Sequence, residues 1–421
     1  MIVKKRIITT IITSALMTAF FTGCSNNEGK NEDITEIMFF SNKIEAVGTY
    51  NKLVEKFEAE NPNIRVTISA PPDATTVLKT KLVKGDVPDI ISMSADRSYA
   101  DFVDANILED LDGLVDIDKI NPVYNKMMKD LEIEDKQGIY GVPYALNASG
   151  VIYNKDIFRE LNLEIPKTWD EFLSVAQKVK NEQIIPFYMT YKEAWTTLPA
   201  WNTISSTLVS SEIFDKVNKR EVTFSEIYDE TTDKILELLE FGHSDNFGVG
   251  YNDGNIAFAK GESAMYLQGS YAIPSILTVN ENLNLGMFAL PATNNVENNK
   301  LVSGVDVYFS IPKDAKNKEE SIKFINFLLE EENSQLYIEE QCAFSAVKGV
   351  EQENETVAGV KEDIAAGKVA NFPDHYYPSG FDMSALLTEM CLNYTNGMDN
   401  EENINQFLAQ CDEKYDIANV D

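Results

Sequence analysis

Short apolar segments alternate with amphipathic ones along the first part of the chain. Residues 34–40 are rich in β-branched and aromatic residues, which is typical of a strand, and apolar residues at 46–60 recur at helical spacing. Residues 64–68 alternate as a second strand, a short helix covers 75–84, and residues 89–93 form a third apolar strand. This β-α-β-α-β order predicts an α/β fold with a mostly parallel sheet covered by helices.

The same periodicities continue downstream. A turn at 137–143 feeds a strand, residues 150–153 form another, and Thr168 with Glu171 makes a capping box that begins a helix. Further predicted elements are a helix at 255–260, strands at 264–267 and 305–311, a helix at 322–329 and a largely helical C-terminal region. Ligands of parallel sheets bind at the carboxyl ends of strands, so residues 41–43 and 94–97 are predicted to lie near a ligand.

The N-terminus has the organisation of an export signal. A basic cluster at residues 4–6 precedes an apolar run at 7–21 that is too short to span a membrane, so residues 1–23 are predicted to be a cleaved signal peptide. The Cys24 context resembles a bacterial lipobox, which predicts lipidation of Cys24 and a membrane anchor on the extracytoplasmic side. The polar residues 24–33 then form a tether. A plain secreted protein with an unmodified Cys24 is the alternative.

Charge and length narrow the class of protein. The net charge of −32 falls to −35 once residues 1–23 are removed, and so acidic a surface argues against binding to nucleic acid. The remaining 398 residues are too many for one core and suit two lobes.

Few residues favour a metal site or nucleophilic catalysis. The two histidines, His243 and His375, lie far apart, and no HExxH, GxSxG or phosphate-loop motif occurs, so we expect no metal and no cofactor. Cys342, Cys391 and Cys411 match no zinc spacing; we interpret them as buried, inert thiols, with one disulfide as the alternative. Carboxylates are abundant enough that a glycosidase-like pair stays open.

Five segments occur in a fixed order and together resemble a known family. They are residues 85–90 (GDVPDI), 140–155 (YGVPYALNASGVIYNK), 166–172 (PKTWDEF), 261–266 (GESAMY) and 269–271 (GSY). The chain resembles the extracellular solute-binding proteins of bacterial ABC sugar importers, which include maltodextrin- and multiple-sugar-binding proteins. The resemblance covers nearly the whole mature chain.

The resemblance implies a two-lobed, periplasmic-binding-protein-like (type II) α/β fold with a hinge. Lobe 1 would comprise residues 34–147 and 285–331, and lobe 2 residues 148–284 and 332–421. The lobes would close over a ligand without any chemical step.

Polar ligand contacts are carried over where the local pattern fits. Asp96 and Arg97 align with a pair that hydrogen-bonds sugar hydroxyls, since a carboxylate accepts and a guanidinium donates in a fixed fork. A surface ion pair is the alternative for these two residues. Lys43 follows the first strand at the position of a sugar-contacting lysine, and Asn147 replaces a hinge-proximal glutamate.

Aromatic contacts are implied in the same way. Tyr271 stands where a stacking tryptophan usually occurs, and Trp195 resembles a second platform for a pyranose ring; either could instead belong to the core. At Leu386 and Leu387 the chain departs from the family, because an aromatic pair is expected there. One stacking platform is therefore missing unless Tyr376 or Tyr377 replaces it, which argues against a maltodextrin ligand.

The sequence as a whole indicates a lipid-anchored, monomeric solute-binding protein that delivers a sugar, expected to be an oligosaccharide, to a membrane permease. An enzyme of the glycoside hydrolase class, a surface adhesin, and a binding protein for a peptide, polyamine or metal are the alternatives.

Overall fold

The structure is a computed structural model that describes residues 34–132, 136–210, 213–365 and 368–419. The predicted signal peptide, the tether and Cys24 lie outside the described residues. Within the described ranges, none of the helices combines the length and apolar character needed to cross a membrane.

Strands and helices alternate over the described residues, with helices predominating after the third strand. The strands are β1 Thr35–Ser41, β2 Ile64–Ser69, β3 Ile90–Met93, β4 Val142–Asn154, β5 Ile185–Phe187, β6 Ser263–Gly269, β7 Leu285–Phe288, β8 Leu301–Ser310, β9 Phe344–Ser345 and β10 Val369–Ala370. The helices are α1 Val47–Glu60, α2 Ala74–Lys84, α3 Arg97–Asp104, α4 Pro122–Lys129, α5 Lys155–Glu160, α6 Trp169–Asn181, α7 Leu198–Leu208, α8 Phe214–Asn218, α9 Phe224–Ile227, α10 Asp229–Leu239, α11 Tyr251–Ala259, α12 Ile273–Val279, α13 Lys318–Leu328, α14 Glu331–Gln341, α15 Ala358–Ala365, α16 Met383–Thr395 and α17 Asn400–Ala418.

The sheet follows the order β2-β1-β3-β8-β4-β6-β5, with β7 and β9 also paired to β4 and β10 to β8. β1 pairs in parallel with β2 and β3, as the β-α-β-α-β order predicts. The centre of the sheet departs from the mostly parallel arrangement that the sequence predicts, because β8 runs antiparallel to both β3 and β4. The predicted α/β fold class is confirmed.

β4 is one 13-residue strand where the sequence predicted two shorter ones. Its first half pairs with β8 and its second half with β6 and β7. Gly150 does not interrupt the strand: a Cβ at this position would lie 2.5 Å from the carbonyl oxygen of Phe288, so glycine permits the close approach of β7.

Two apolar cores lie at the two ends of the β4–β8 pair. The first core joins β1, β2 and α1 to β8, α13 and α14, and includes Phe39, Tyr50, Phe309, Phe324 and Ile338. The second core joins α6, α7 and β6 to β7, α16 and α17, and includes Phe172, Trp201, Met265, Phe288 and Phe407. A third cluster contains residues of β4 and β8 together with residues of α2, β3, α3, β6, α11, α12 and β7. The chain is two-lobed.

The lobe boundaries differ from those expected. Tyr337 and Val347 pack in the first core, although residues 332–421 were assigned to lobe 2. Conversely, Phe288 and Leu290 pack in the second core, because β7 pairs with the second half of β4. The return segment of the first core therefore runs from about β8 to Val350 rather than over residues 285–331.

The capping box predicted at the start of α6 is present, with Thr168 and Glu171 satisfying each other's backbone amides. Cys342, Cys391 and Cys411 are buried and free of disulfides. Burial raises the pKa of the thiols of Cys342 and Cys391 to about 12, so both are protonated and unreactive at neutral pH.

Candidate functional site

A cavity of about 860 Å³ lies where the two cores face each other across β4 and β8. Its walls come from the loop after β1, the residues before α2, the middle of β4 and β8, and three short 3-10 turns. Its lining includes Asn42, Lys43, Glu45, Asp73, Asn147, Glu193, Trp195, Asn202, Tyr251, Tyr271, Asp306, Phe372, Asp374 and His375.

Three polar side chains from three elements meet at one wall. Lys43 Nζ donates to Asp306 Oδ1 at 2.6 Å, and Asn147 Nδ2 donates to the same oxygen at 3.0 Å. Lys43 follows β1, Asn147 lies in β4 and Asp306 in β8, so this polar triad connects the first core to the strands that cross between the cores.

The Lys43–Asp306 ion pair is largely shielded from solvent, with side chains 11% and 13% exposed. Burial favours the neutral amine, but the carboxylate of Asp306, together with Glu45, outweighs it and raises the pKa of Lys43. Lys43 is therefore protonated at neutral pH.

Three aromatic rings, those of Trp195, Tyr251 and Tyr271, form another part of the cavity lining. The Trp195 ring centroid lies 5.0 Å from that of Tyr251 and 6.2 Å from that of Tyr271. Glu193 fixes two of these groups, because it accepts from Trp195 Nε1 at 3.2 Å and from the Tyr251 backbone amide at 3.0 Å. Although Trp195 makes these ring and hydrogen-bond contacts, 37% of its surface stays exposed, which is a high exposed fraction for a tryptophan.

Short 3-10 turns position two of these aromatic side chains, Trp195 and Tyr271. Trp195 lies in the turn Ala194–Thr197 that leads into α7, and Tyr271 in the turn Ser270–Ala272 that connects β6 to α12. A side chain at Gly269 would overlap the Tyr271 ring, so glycine at the end of β6 lets the tyrosine fold back over the strand. Tyr271 OH then donates to Gln268 at 3.1 Å.

The 3-10 turn Pro373–Tyr376 supplies two further polar side chains, Asp374 and His375. The ring of His375 stacks on Phe372 with centroids 4.8 Å apart. The Oδ1 atom of Asp374 is buried and has no hydrogen-bond partner among the described residues. Burial raises the pKa of Asp374, and the nearby Asp96 carboxylate adds to the shift, against the opposing effect of His375.

Asp374→Asn is expected to stabilise the protein by about 1–3 kcal/mol at pH 7, because it removes a buried negative charge, and an unpartnered buried oxygen costs more when it is charged. The pKa of Asp374 in the folded protein is raised above the ordinary value of 3.8. The Asp374 carboxylate therefore lowers the free energy of unfolding of the wild type only at a pH above 3.8. The gain should therefore shrink as the pH falls through the raised pKa and vanish below about 3.8. Urea unfolding at pH 7 and at several lower pH values measures it.

Glu413→Gln removes one charge from an exposed position on α17 and is the matched control. It should track the wild type at every pH. An Asp374→Asn variant whose stability difference is the same at all pH values would contradict the assignment.

Four of the six predicted contacts come together at the cavity: Lys43, Asn147, Trp195 and Tyr271. Asp96 and Arg97 do not line it. The Asp96 carboxylate caps α3 by accepting from the Ser98 amide at 2.8 Å, and Arg97 Nε lies 3.5 Å from Asp101.

The missing aromatic platform is not restored by the tyrosines considered for it. The ring of Tyr376 stacks on Phe214 with centroids 5.4 Å apart, and the hydroxyl of Tyr377 accepts a hydrogen bond from Trp201 Nε1. Neither tyrosine lines the cavity. Leu386 and Leu387 belong to the second core. Tyr251 instead provides the third ring.

Sequence reasoning missed several residues of the site. Asp306 was detectable as the only charged residue within a strongly apolar strand. Asp374 and His375 lie in a loop without periodicity, and Glu193 is one of many carboxylates, so no local signal marks them. Among the described residues no cluster of His, Cys, Asp and Glu has the arrangement of a metal site.

Comparison with known proteins adds a family to this geometry. Residues 41–335 match the family described as bacterial extracellular solute-binding protein. The multiple sugar-binding protein of Streptococcus mutans is 31% identical over 356 residues, which cover 81% of this chain and 82% of the relative. The galactooligosaccharide-binding protein of Bacillus subtilis is 25% identical over 308 residues, covering 70% of this chain and 69% of the relative.

A solved structure agrees over nearly the full length. The solute-binding protein RafE in complex with raffinose superimposes with a TM-score of 0.79 at 25% identity, covering 90% of this chain and all of RafE. The apo-form of RafE from Streptococcus pneumoniae gives a TM-score of 0.74 at 24% identity, covering 94% of this chain and all of that chain. These relatives are binding proteins.

Proposed function

Because this chain belongs to the bacterial extracellular solute-binding protein family, we propose that it captures an oligosaccharide in the cavity between its lobes and delivers it to an ABC transporter permease. It works as a monomer without a chemical step. Ligand contacts to both lobes favour a closed state, since a ligand shifts an equilibrium only through its differential affinity for the two states.

The observation that carries the proposal is the pairing of an aromatic wall with a polar wall across one cavity. Trp195, Tyr251 and Tyr271 present flat rings, which suit the C–H faces of pyranose units. In the same cavity, Asn147 and Asp306 present oxygens that accept hydroxyl protons. A volume of about 860 Å³ is near the upper end of small-molecule sites and suits several sugar rings.

The relatives support a sugar rather than another solute. The Streptococcus mutans relative is named for multiple sugars, and RafE was solved with raffinose, a trisaccharide. Asp96 and Arg97 stay proposed contacts only for a conformation in which α3 approaches the ligand.

A thermal-shift panel tests the ligand class directly. A cognate oligosaccharide at about 100 times its dissociation constant should add about 2.7 kcal/mol of apparent stability through mass action. Raffinose, stachyose, cellotriose and maltotriose form the sugar arm, with a tripeptide and spermidine as controls. Stabilisation by a control compound and by no sugar would refute the sugar assignment.

Chemical inertness separates binding from hydrolysis. Each sugar that stabilises the protein should be recovered intact after prolonged incubation, as measured by chromatography. Hydrolysis that disappears on changing Glu193 or Asp374 to the amide would favour the glycosidase alternative.

Anchoring is the second part of the proposal. We propose that Cys24 carries the lipid and that residues 24–33 tether the lobes to the extracytoplasmic face of the membrane, where the permease resides. Mass spectrometry of the mature N-terminus tests this proposal, and an unmodified Cys24 would end it.

A further inference from the structure

The orientation of one hinge amide determines what it can offer a ligand. The Asp306 carboxylate can only accept, so Asn147 must turn its Nδ2 group toward it. The carbonyl oxygen, Asn147 Oδ1, is then left buried without a partner among the described residues, on a residue that is 8% exposed and lines the cavity. A buried oxygen of this kind favours a ligand that brings a hydrogen-bond donor.

The other unpartnered oxygens of the cavity point to the same kind of ligand. Asp374 Oδ1 and Asn42 Oδ1 are also buried without a partner in the part of the chain that the structure describes, and both residues line the cavity. The amide of Asn42 is occupied, because Nδ2 donates to Ser94 at 3.1 Å. The site thus offers acceptors at several positions around its wall.

The charges around the cavity add a second, independent constraint. Its lining includes five carboxylates, from Glu45, Asp73, Glu193, Asp306 and Asp374. Among the described residues that line the cavity, Lys43 is the only lysine or arginine, and its charge is already balanced by Asp306 at 2.6 Å. An anionic ligand would give up its hydration shell and meet no unbalanced lysine or arginine among the described residues of the lining.

Resting on the proposed function, we propose that the cavity selects uncharged oligosaccharides and rejects sugars that carry an anionic group, with Asp306 as the residue that determines this preference. Sugar hydroxyls donate to the unpartnered oxygens, whereas a carboxylate on the sugar would face further acceptors. Asp306 acts by neutralising Lys43 and by keeping the wall negative.

Paired sugars that differ by one functional group test the selectivity of the wild-type protein. Raffinose, maltotriose and cellotriose are each compared with a counterpart whose C6 alcohol has been oxidised to a carboxylate. Calorimetry should show that the best-binding neutral sugar loses about tenfold or more in affinity when oxidised. This comparison needs no variant, so it stands whether or not a substituted protein folds.

Asp306→Asn tests the role of that residue. The change frees the charge of Lys43, so the ratio of acidic to neutral dissociation constants should fall by about tenfold. Glu413→Gln alters the net charge equally at an exposed position and should leave the ratio unchanged.

Each outcome has a definite meaning. Equal or tighter binding of an oxidised sugar overturns the selectivity while leaving the sugar-binding function standing. A folded Asp306→Asn protein with an unchanged ratio overturns the role of Asp306. Binding of neither neutral nor oxidised sugars refutes the proposed function itself, and the selectivity with it.

Discussion

Trp195→Ala is expected to weaken oligosaccharide binding by about 1–3 kcal/mol, the usual loss when a well-placed aromatic anchor is removed. The ring lines the cavity and keeps 37% of its surface exposed, so a sugar ring can cover it. Its ring contacts with Tyr251 and Tyr271 contribute about 0.5–1.5 kcal/mol each beyond area burial, so we expect a smaller loss of folding stability than for a fully buried tryptophan. Calorimetric titration with the sugar identified by the thermal-shift panel measures the affinity.

Trp195→Phe retains a flat ring and should recover most of the binding, although it loses the hydrogen bond to Glu193. A Trp195→Ala protein that binds normally in its folded fraction, but loses about 3–5 kcal/mol of stability, would place Trp195 in the core instead.

Trp201→Ala is expected to have the opposite profile, with a loss of about 3–5 kcal/mol of folding stability. Trp201 lies six positions after Trp195 but is fully buried, packs on Tyr228 at 4.9 Å and donates from Nε1 to Tyr377 at 3.1 Å. Truncation would leave a large cavity and remove the donor to that hydroxyl. Urea unfolding monitored by far-UV circular dichroism measures the change.

The intrinsic affinity of the folded Trp201→Ala protein should stay within about threefold of wild type, because the ring does not line the cavity. Trp201→Phe fills most of the space and should lose less stability. A Trp201→Ala protein as stable as wild type would show that the second core tolerates the void, contrary to its packing.

The local elements of this fold were largely readable from sequence, whereas their assembly was not. Alternation and helical spacing identified β1, α1 and β2 within a residue or two, because each buries apolar residues in the first core. α2 buries its apolar face in the third cluster, and β3 is a short, fully buried apolar run. Periodicity indicates that Tyr337 and Phe288 are buried, but it does not indicate in which of the two cores each side chain packs. That choice is made by strand pairing over long sequence separations.

The site divides in the same way. Lys43 follows a strand end, and Tyr271 follows a short motif, so both positions carry a local signal that leads to the cavity. Asp374 and Glu193 enter only through the tertiary arrangement of 3-10 turns and loops. Asp96 shows the limit of transferring a local pattern, because the same carboxylate that could bind a hydroxyl here serves as the cap of α3.

The distribution of the first core along the chain affects when it can form during synthesis. β1 and β2 emerge among the first 70 residues, but β8, α13 and α14 are made only after residue 300 of 421. Domains usually fold as units in the order in which they leave the ribosome, and contacts at long range form slowly. Here more than 200 residues are synthesised between β2 and β8, so the first core cannot be completed until residues up to Val350 have been made. The second core cannot be completed before α17 has been made. The polypeptide consequently remains without a finished core for most of its translation.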